Sequence, residues 1–238
     1  MQSKFVPRGN FTMISKGKIK LIRSLEYKKY RDKEGLFVAE GHKVVEELQK
    51  VFRCVEVFDD EDDVKKISFL QHPQGIVGLF ELPDYASLQP SIAADSLVLA
   101  LDKVQDPGNL GTIIRVADWF GIDTIYCSND TADCWNPKVV QATMGSLARV
   151  RVVYTGLASL IDSCDCPVYG TFLDGENIYE KELTRNGIIV MGNEGNGISD
   201  EIKTKINNRL LIPPTRQGAE SLNVAIATAI TLAEFRRR

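Results

Sequence analysis

Residues 96–128 read SLVLALDKVQDPGNLGTIIRVADWFGIDTIYCS, and their order decides the fold. Leu97 to Leu101 is an unbroken apolar run, as in a strand covered on both faces. Asp106-Pro107-Gly108 interrupts it, Leu110 to Phe120 follows with helical spacing until Gly121, and Asp123 to Ser128 is a second strand-like run. A strand, a crossover helix and a strand make a parallel pair. The alternation continues with a helix around PKVVQATMGS (137–146), the strand RVRVVY (149–154), a helix near Leu157 to Ser163 and the strand VYGTFLD (168–174). It ends with IIVMG (188–192), a Gly/Asn loop, a helix from Ser199 to Asn207, the strand LLIP (210–213) and the helix SLNVAIATAITLAEF (221–235). This is an α/β domain over 96–238, a parallel sheet with helices on both faces.

Upstream the pattern differs. Ile14 to Arg31 places Ile19, Ile22, Leu25 and Tyr30 among basic residues, which predicts one amphipathic helix with a cationic outer face. Leu36 to Ala39 reads as a strand, VVEELQKVF (44–52) as a helix, CVEVF (54–58) as a strand, and the acidic run Asp59 to Asp63 as a loop or helix start. Gln74-Gly75 precedes the strand IVGLFEL, closed by Pro83. These elements form a small α/β domain over 1–85, joined through a Ser/Pro/Ala linker at 86–95.

The 238 residues carry 29 basic and 32 acidic side chains, net −3, which alone argues against a nucleic-acid partner. The average conceals an asymmetry: Met1 to Arg53 is net +7 and the remainder net −10. A basic front on an acidic body either meets phosphates at one end or is a solvated lysine-rich face. No apolar run reaches the roughly 18–20 residues of a membrane span, and the start MQSKFVPRGNF lacks a signal-peptide core, so the expected location is the cytoplasm. Cys54, Cys127, Cys134, Cys164 and Cys166 show no C-x-x-C spacing, and His42 and His72 lie far from most of them. Buried or free thiols and no metal site are expected.

Three stretches break the rules of a buried sheet and its helices. The helix Leu110 to Phe120 is apolar nearly all round, which predicts burial, yet it carries Arg115. A guanidinium there needs a partner, either Asp118 or another core carboxylate, or a phosphate or reacting oxygen. The loop Gly192-Asn193-Glu194-Gly195-Asn196-Gly197 lies at the carboxyl end of an expected strand, where open α/β sheets bind ligands. It fits neither a P-loop nor the dinucleotide fingerprint, and Glu194 is either a surface turn residue or a functional carboxylate. The third stretch is IPPTRQGAESLN (212–223), where Gly218 allows a turn and Ser221 is placed to cap the last helix. Capping leaves Asn223 unexplained, and a polar cluster at a helix mouth can hold a substrate.

Taken in order, Asn109, Gly111 and Arg115 (N-x-G-x-x-x-R), Gly192 to Gly197 (G-N-E-G-x-G), Ile212-Pro213 and Ser221 to Val224 (S-L-N-V) resemble the motifs of the SpoU, or TrmH, branch of the SPOUT RNA methyltransferases. LFVAEGHKVVEEL (36–48) and PQGIVGLF (73–80) look like the ribosomal-protein-L30e-like substrate-binding domain of many members. The resemblance implies a Rossmann-like parallel sheet with a C-terminal trefoil knot, a homodimer, S-adenosyl-L-methionine as cofactor, and methyl transfer to a ribose 2′-hydroxyl without a metal. It implies cofactor contacts from Gly192, Ile212 and Leu222, with Thr171 and Leu173 as further contacts, and a catalytic cluster of Asn109, Arg115, Glu194, Ser221 and Asn223. In that cluster Asn109 would orient Arg115, while Ser221 and Asn223 would position the ribose or the loop. The two-domain form favours ribosomal over transfer RNA. A transfer-RNA enzyme and a non-catalytic RNA-binding protein are the alternatives. This chain departs from the pattern in being a residue longer between Ile212-Pro213 and Ser221, with Pro214 where members often have Met.

Overall fold

The computed structural model describes residues 13–85, 92, 95–216 and 221–237. Residues 1–12, most of the linker expected at 86–95, the turn at Gly218 and Arg238 lie outside the described residues. The chain forms two compact units, one of residues 1–84 with 135–148, the other of 85–134 with 149–238.

In the first unit the helix expected over Ile14 to Arg31 is broken into α1 (Lys16–Ser24) and α2 (Lys28–Glu34). Arg31 explains the break. Its side chain is buried, and Nη1 donates to the carbonyls of Leu25 (2.6 Å) and Glu26 (2.8 Å). A continuous helix would have used those carbonyls internally. Then follow β1 (Leu36–Glu40), α3 (His42–Gln49), β2 (Cys54–Phe58), α4 (Glu61–Ile67) and β3 (Val77–Glu81), the strands pairing antiparallel in the order β1-β3-β2. The acidic run is a helix start, since the Asp60 carboxylate caps α4 by accepting from Asp62 N and Asp63 N.

The second unit carries β4 (Leu97–Leu101), α5 (Pro107–Trp119) and β5 (Thr124–Cys127); the chain then runs through α6 (Pro137–Ala142), which belongs to the first unit. There Trp135 stacks on Phe37 (4.6 Å between centroids) and meets Phe52 edge-on, and α6 packs on β1. An unbroken domain from residue 96 was the sequence expectation. The sequence shows a helix around 137–146 but not which unit it joins, because the aromatic partners of Trp135 lie some 80 to 100 residues upstream.

The remaining elements are β6 (Arg151–Tyr154), α7 (Leu157–Asp162), β7 (Val168–Asn177), β8 (Gly187–Met191), α8 (Asp200–Lys203), β9 (Asn208–Leu211) and α9 (Val224–Arg237). All six strands are parallel, in the order β6-β5-β4-β8-β7-β9. Register assigns the faces. Val98, Ile188 and Val168 lie side by side and pack with Leu157, Leu160 and Ile161 of α7 and Ile202 of α8. One residue further along, Leu99, Ile189 and Tyr169 point to the other face, where Phe235 of α9 meets the Tyr169 ring edge-on at 4.9 Å. Helices therefore cover both faces, as expected. The chain steps outward from β4 to β6 on one side and returns to β7, β8 and β9 on the other, which places a switch point at the carboxyl end of β4.

One local expectation changes. Cys164 and Cys166 form a disulfide, their Cα atoms 5.4 Å apart, whereas Cys54, Cys127 and Cys134 are free. A one-residue spacing between cysteines brings the sulfurs within reach where the chain turns from α7 into β7. At the end of α9, Arg236 donates from Nε to Phe120 O (2.8 Å) and from Nη2 to Gly121 O (2.9 Å), capping α5. Among the described residues no helix is long and apolar enough to cross a membrane, and no cluster of three or more His, Cys, Asp or Glu could hold a metal ion.

Replacing Arg31 with Leu strands two carbonyls at the α1–α2 break. Urea denaturation of Arg31→Leu should show a loss of about 3 kcal/mol in the first unit.

Candidate active site

The site is built from the loops after β4 and β8. Asp102 ends β4 almost fully buried, and its Oδ2 accepts from Ser199 N at 2.7 Å. The loop after β8 folds on itself, with Asn193 and Gly197 exchanging backbone hydrogen bonds at 2.9 Å in both directions. Gly197 takes the left-handed conformation, φ 68°. A side chain at Gly192 would meet Gly197 C and Ile198 N at 2.3 Å, so this crossing admits only glycine. Asn193 fills the loop, its Oδ1 accepting from Gly195 N and Asn196 N while its Nδ2 donates to Lys103 O (2.8 Å).

Glu194 points back toward β4. Its carboxylate accepts from Gln105 N (3.3 Å), Asp106 N (3.2 Å) and Asn109 Nδ2 (3.0 Å). Asn109 Oδ1 in turn accepts from Asn223 Nδ2 at 2.9 Å. Asn223 Oδ1 accepts from Ala225 N (2.9 Å) and Ile226 N (3.3 Å), which makes it the N-cap of α9. Partial burial pushes the Glu194 carboxyl up, but the Asn109 amide and the backbone N–H groups of Glu194, Asp106 and Gln105 together outweigh it and hold the pKa below its ordinary 4.5. One carboxylate thus ties three separate loops through oriented amides.

Beside this chain of hydrogen bonds lies a cleft of about 520 Å³ at the carboxyl ends of β7, β8 and β9. Thr171, Leu173, Gly192, Ile212 and Leu222 line it, together with Glu194 and Ser221. The β7 residues reach it because the β7–β9 register shifts between Thr171 and Glu176, and the intervening residues bulge from the ladder. Gly175 makes the bulge possible, since a Cβ there would sit 2.4 Å from the Leu210 carbonyl carbon.

Two residues of the expected cluster sit otherwise than the sequence implied. Arg115 is exposed, not buried. Thr112, Arg115 and Trp119 form one outward strip of α5, with Trp119 85% exposed, while Leu110, Ile113, Ile114 and Ala117 face inward. Nor is Asp118 its partner, because Arg149 takes that carboxylate with Nε and Nη2 (2.9 and 2.8 Å). The Asn109 amide is bound to Glu194 and Asn223. Ser221 does not cap α9; it is exposed at the cleft and the cap is Asn223, two residues later.

Sequence reasoning missed Asp102, whose signal was a carboxylate closing the run SLVLALD, and a charged rim of the cleft. In that rim the Arg209 guanidinium lies 3.7 Å from the Phe172 ring centroid and donates to Asp174 Oδ1 at 2.5 Å, which lowers the Asp174 pKa. Lys203 lines the same edge. Phe172 and Asp174 are recognisable only once the bulge is known.

The SpoU rRNA methylase family model matches residues 96–233, and the MRM3-like substrate binding domain matches residues 16–62. The chain is 33% identical to the 23S rRNA guanosine 2′-O-methyltransferase RlmP of Bacillus subtilis, over 92% of this chain and 96% of that protein. An AdoMet-bound rRNA methyltransferase of Sinorhizobium meliloti superposes with a TM-score of 0.85 at 30% identity, covering 95% and 97% of the two chains. A TrmH-family structure from Porphyromonas gingivalis gives 0.86 at 40% identity, covering 95% and 99%.

The lowered Glu194 pKa fixes a sign. The carboxylate stabilises the fold fully above pH 4.5, and that contribution is lost as pH falls through the lower folded value. In urea titrations the stability gap between wild type and Glu194→Gln should be full at pH 7 and close on acidification below 4.5.

Proposed function

Because the chain belongs to the SpoU rRNA methylase family, we propose that it transfers a methyl group from S-adenosyl-L-methionine to a ribose 2′-hydroxyl of ribosomal RNA, in the cytoplasm. The observation that carries this reading is the cleft lined by Thr171, Leu173, Gly192, Ile212 and Leu222, directly beside the Glu194–Asn109–Asn223 chain. Its volume falls within the usual range for cofactor sites. The crossing at Gly192 fits a ligand held mainly through backbone groups. When bound, S-adenosylmethionine supplies an electrophilic methyl group on its sulfonium.

The residues of this chain supply alignment and a route for the proton. Glu194 holds Asn109 and the turn before α5, Asn109 holds Asn223, and Asn223 sets the first turn of α9, which fixes Ser221 and Leu222 at the cleft. Ser221 offers its hydroxyl to the ribose. The Arg115 guanidinium is a fork of donors with no acceptor, and its role is to fix the phosphate beside the target ribose, the proton of the hydroxyl leaving to that phosphate or to water. The first unit, with its basic α1 and α2, meets the RNA through phosphate contacts.

Arg115 is not among the residues lining its own cleft, and it shares an exposed strip with Trp119. A homodimer through this strip covers Trp119 and takes Arg115 out of bulk water, where a guanidinium holds phosphate more strongly. The trefoil knot is part of the same reading.

The deciding experiment maps 2′-O-methyl positions in total RNA with and without the gene: one ribosomal ribose should lose its methyl group, and an unchanged map would remove the proposal. Gly192→Ala should abolish S-adenosylmethionine binding by calorimetry while the chain still folds. Arg115→Ala should lower kcat/KM on ribosomal RNA by about 100-fold or more with cofactor affinity within about twofold, and Arg115→Lys should retain most activity if charge is the essential property.

A further inference from the structure

The break between α1 and α2 leaves an aromatic side chain in water. Tyr27 is 58% exposed, while Ile22 and Leu25 just before it are fully buried, and Tyr27 contributes no side-chain cap to α2. Its ring stands edge-on to Tyr30 with centroids 6.4 Å apart and planes at 73°. Lys29 Nζ sits 4.8 Å from the centroid of the Tyr30 ring. A large ring left in water beside a second ring offers an apolar face that a flat partner can cover.

The charge around it is one-sided. From Lys16 to Lys33 there are eight basic residues against Glu26 and Asp32. Lys18, Lys28 and Lys33 are neutralised by Glu56, Asp32 and Glu34, whereas no ion pair among the described residues engages Lys16, Lys20 or Lys29. Other exposed aromatics have different surroundings. Tyr179 stands among Glu176, Glu180 and Glu182, and Trp119 lies on the α5 strip. Tyr27 shares its helical segment with Lys16, Lys20 and Lys29, three cations without an ion pair among the described residues, whereas Trp119 has Arg115 alone on its strip.

We infer that Tyr27, braced by Tyr30, is a stacking platform for one unpaired base of an RNA strand whose phosphates are held by Lys16, Lys20 and Lys29. The partner is single-stranded because bases within an A-form duplex are already stacked and its deep groove is closed to side chains, whereas a loop or bulge can lay a base on a tyrosine ring. This rests on the reading that the first unit meets RNA, and it adds which feature of the RNA that unit selects.

Fluorescence anisotropy with the full chain separates the two ideas, using a labelled short oligouridylate and an RNA duplex of equal length. Tyr27→Ala should weaken oligouridylate binding about tenfold and leave the duplex unchanged, while Tyr27→Phe binds both as wild type does. The combined Lys16→Glu, Lys20→Glu and Lys29→Glu variant should weaken both probes and flatten the salt dependence. Wild-type oligouridylate affinity in Tyr27→Ala, or equal loss on both probes, overturns the platform. If the triple lysine variant also binds both probes as wild type does, the reading of the first unit as the RNA-meeting part fails as well.

Discussion

Three loops that are far apart in sequence converge on the carboxylate of Glu194. Among its partners are the backbone amides of Gln105 and Asp106 in the turn that launches α5. Another, the Asn109 amide, hands the constraint on to Asn223 and so to the first turn of α9. Each amide has one end satisfied as donor and the other as acceptor, so neither can flip without losing two bonds. Leu222 and Ser221 line the cleft immediately before this capped turn, which makes the shape of the cleft depend on a carboxylate that need not touch the methyl group at all.

The glycines around the cleft act through space rather than through flexibility. Gly192 permits a backbone crossing, and Gly175 lets the β7 bulge lie against Leu210. Together they open a hollow between strands that would otherwise pair along their full length. The Arg209–Asp174 pair over Phe172 then closes one edge of that hollow with charge. A parallel sheet normally hides its strands, and here the looped-out middle of β7 lays Phe172 to Asp174 along the cleft before pairing with β9 resumes.

The alternation of apolar runs and helical spacing was enough to read the sheet, because strands buried on both faces leave a strong signature. The site motifs were legible for a related reason: glycine, asparagine and glutamate clustered after a buried strand have few structural uses. What escaped was orientation. Ile113, Ile114, Val116 and Phe120 make α5 look apolar all round, yet the three-and-four spacing of Thr112, Arg115 and Trp119 runs along one line, and only the packing reveals that this line faces outward. The cap of α9 was displaced by two residues because Ser221 and Asn223 are both good caps, and the choice between them was made by Asn109, a residue more than a hundred positions away. The α1–α2 break was hidden for the same reason, since Arg31 reads as one more cation on a basic face until its carbonyl partners are seen.

Residues 135–148 leave the second unit's sequence to complete the first unit's aromatic core, where Trp135 rests on Phe37 and Phe52. The chain is therefore not two beads on a string. Recombination at a single cut near residue 95 would hand one partner a tryptophan with nothing to rest on and the other a gap in its core. The two halves are expected to travel through evolution as a single heritable block, and swapping the front module between relatives calls for exchanging two separate stretches at once.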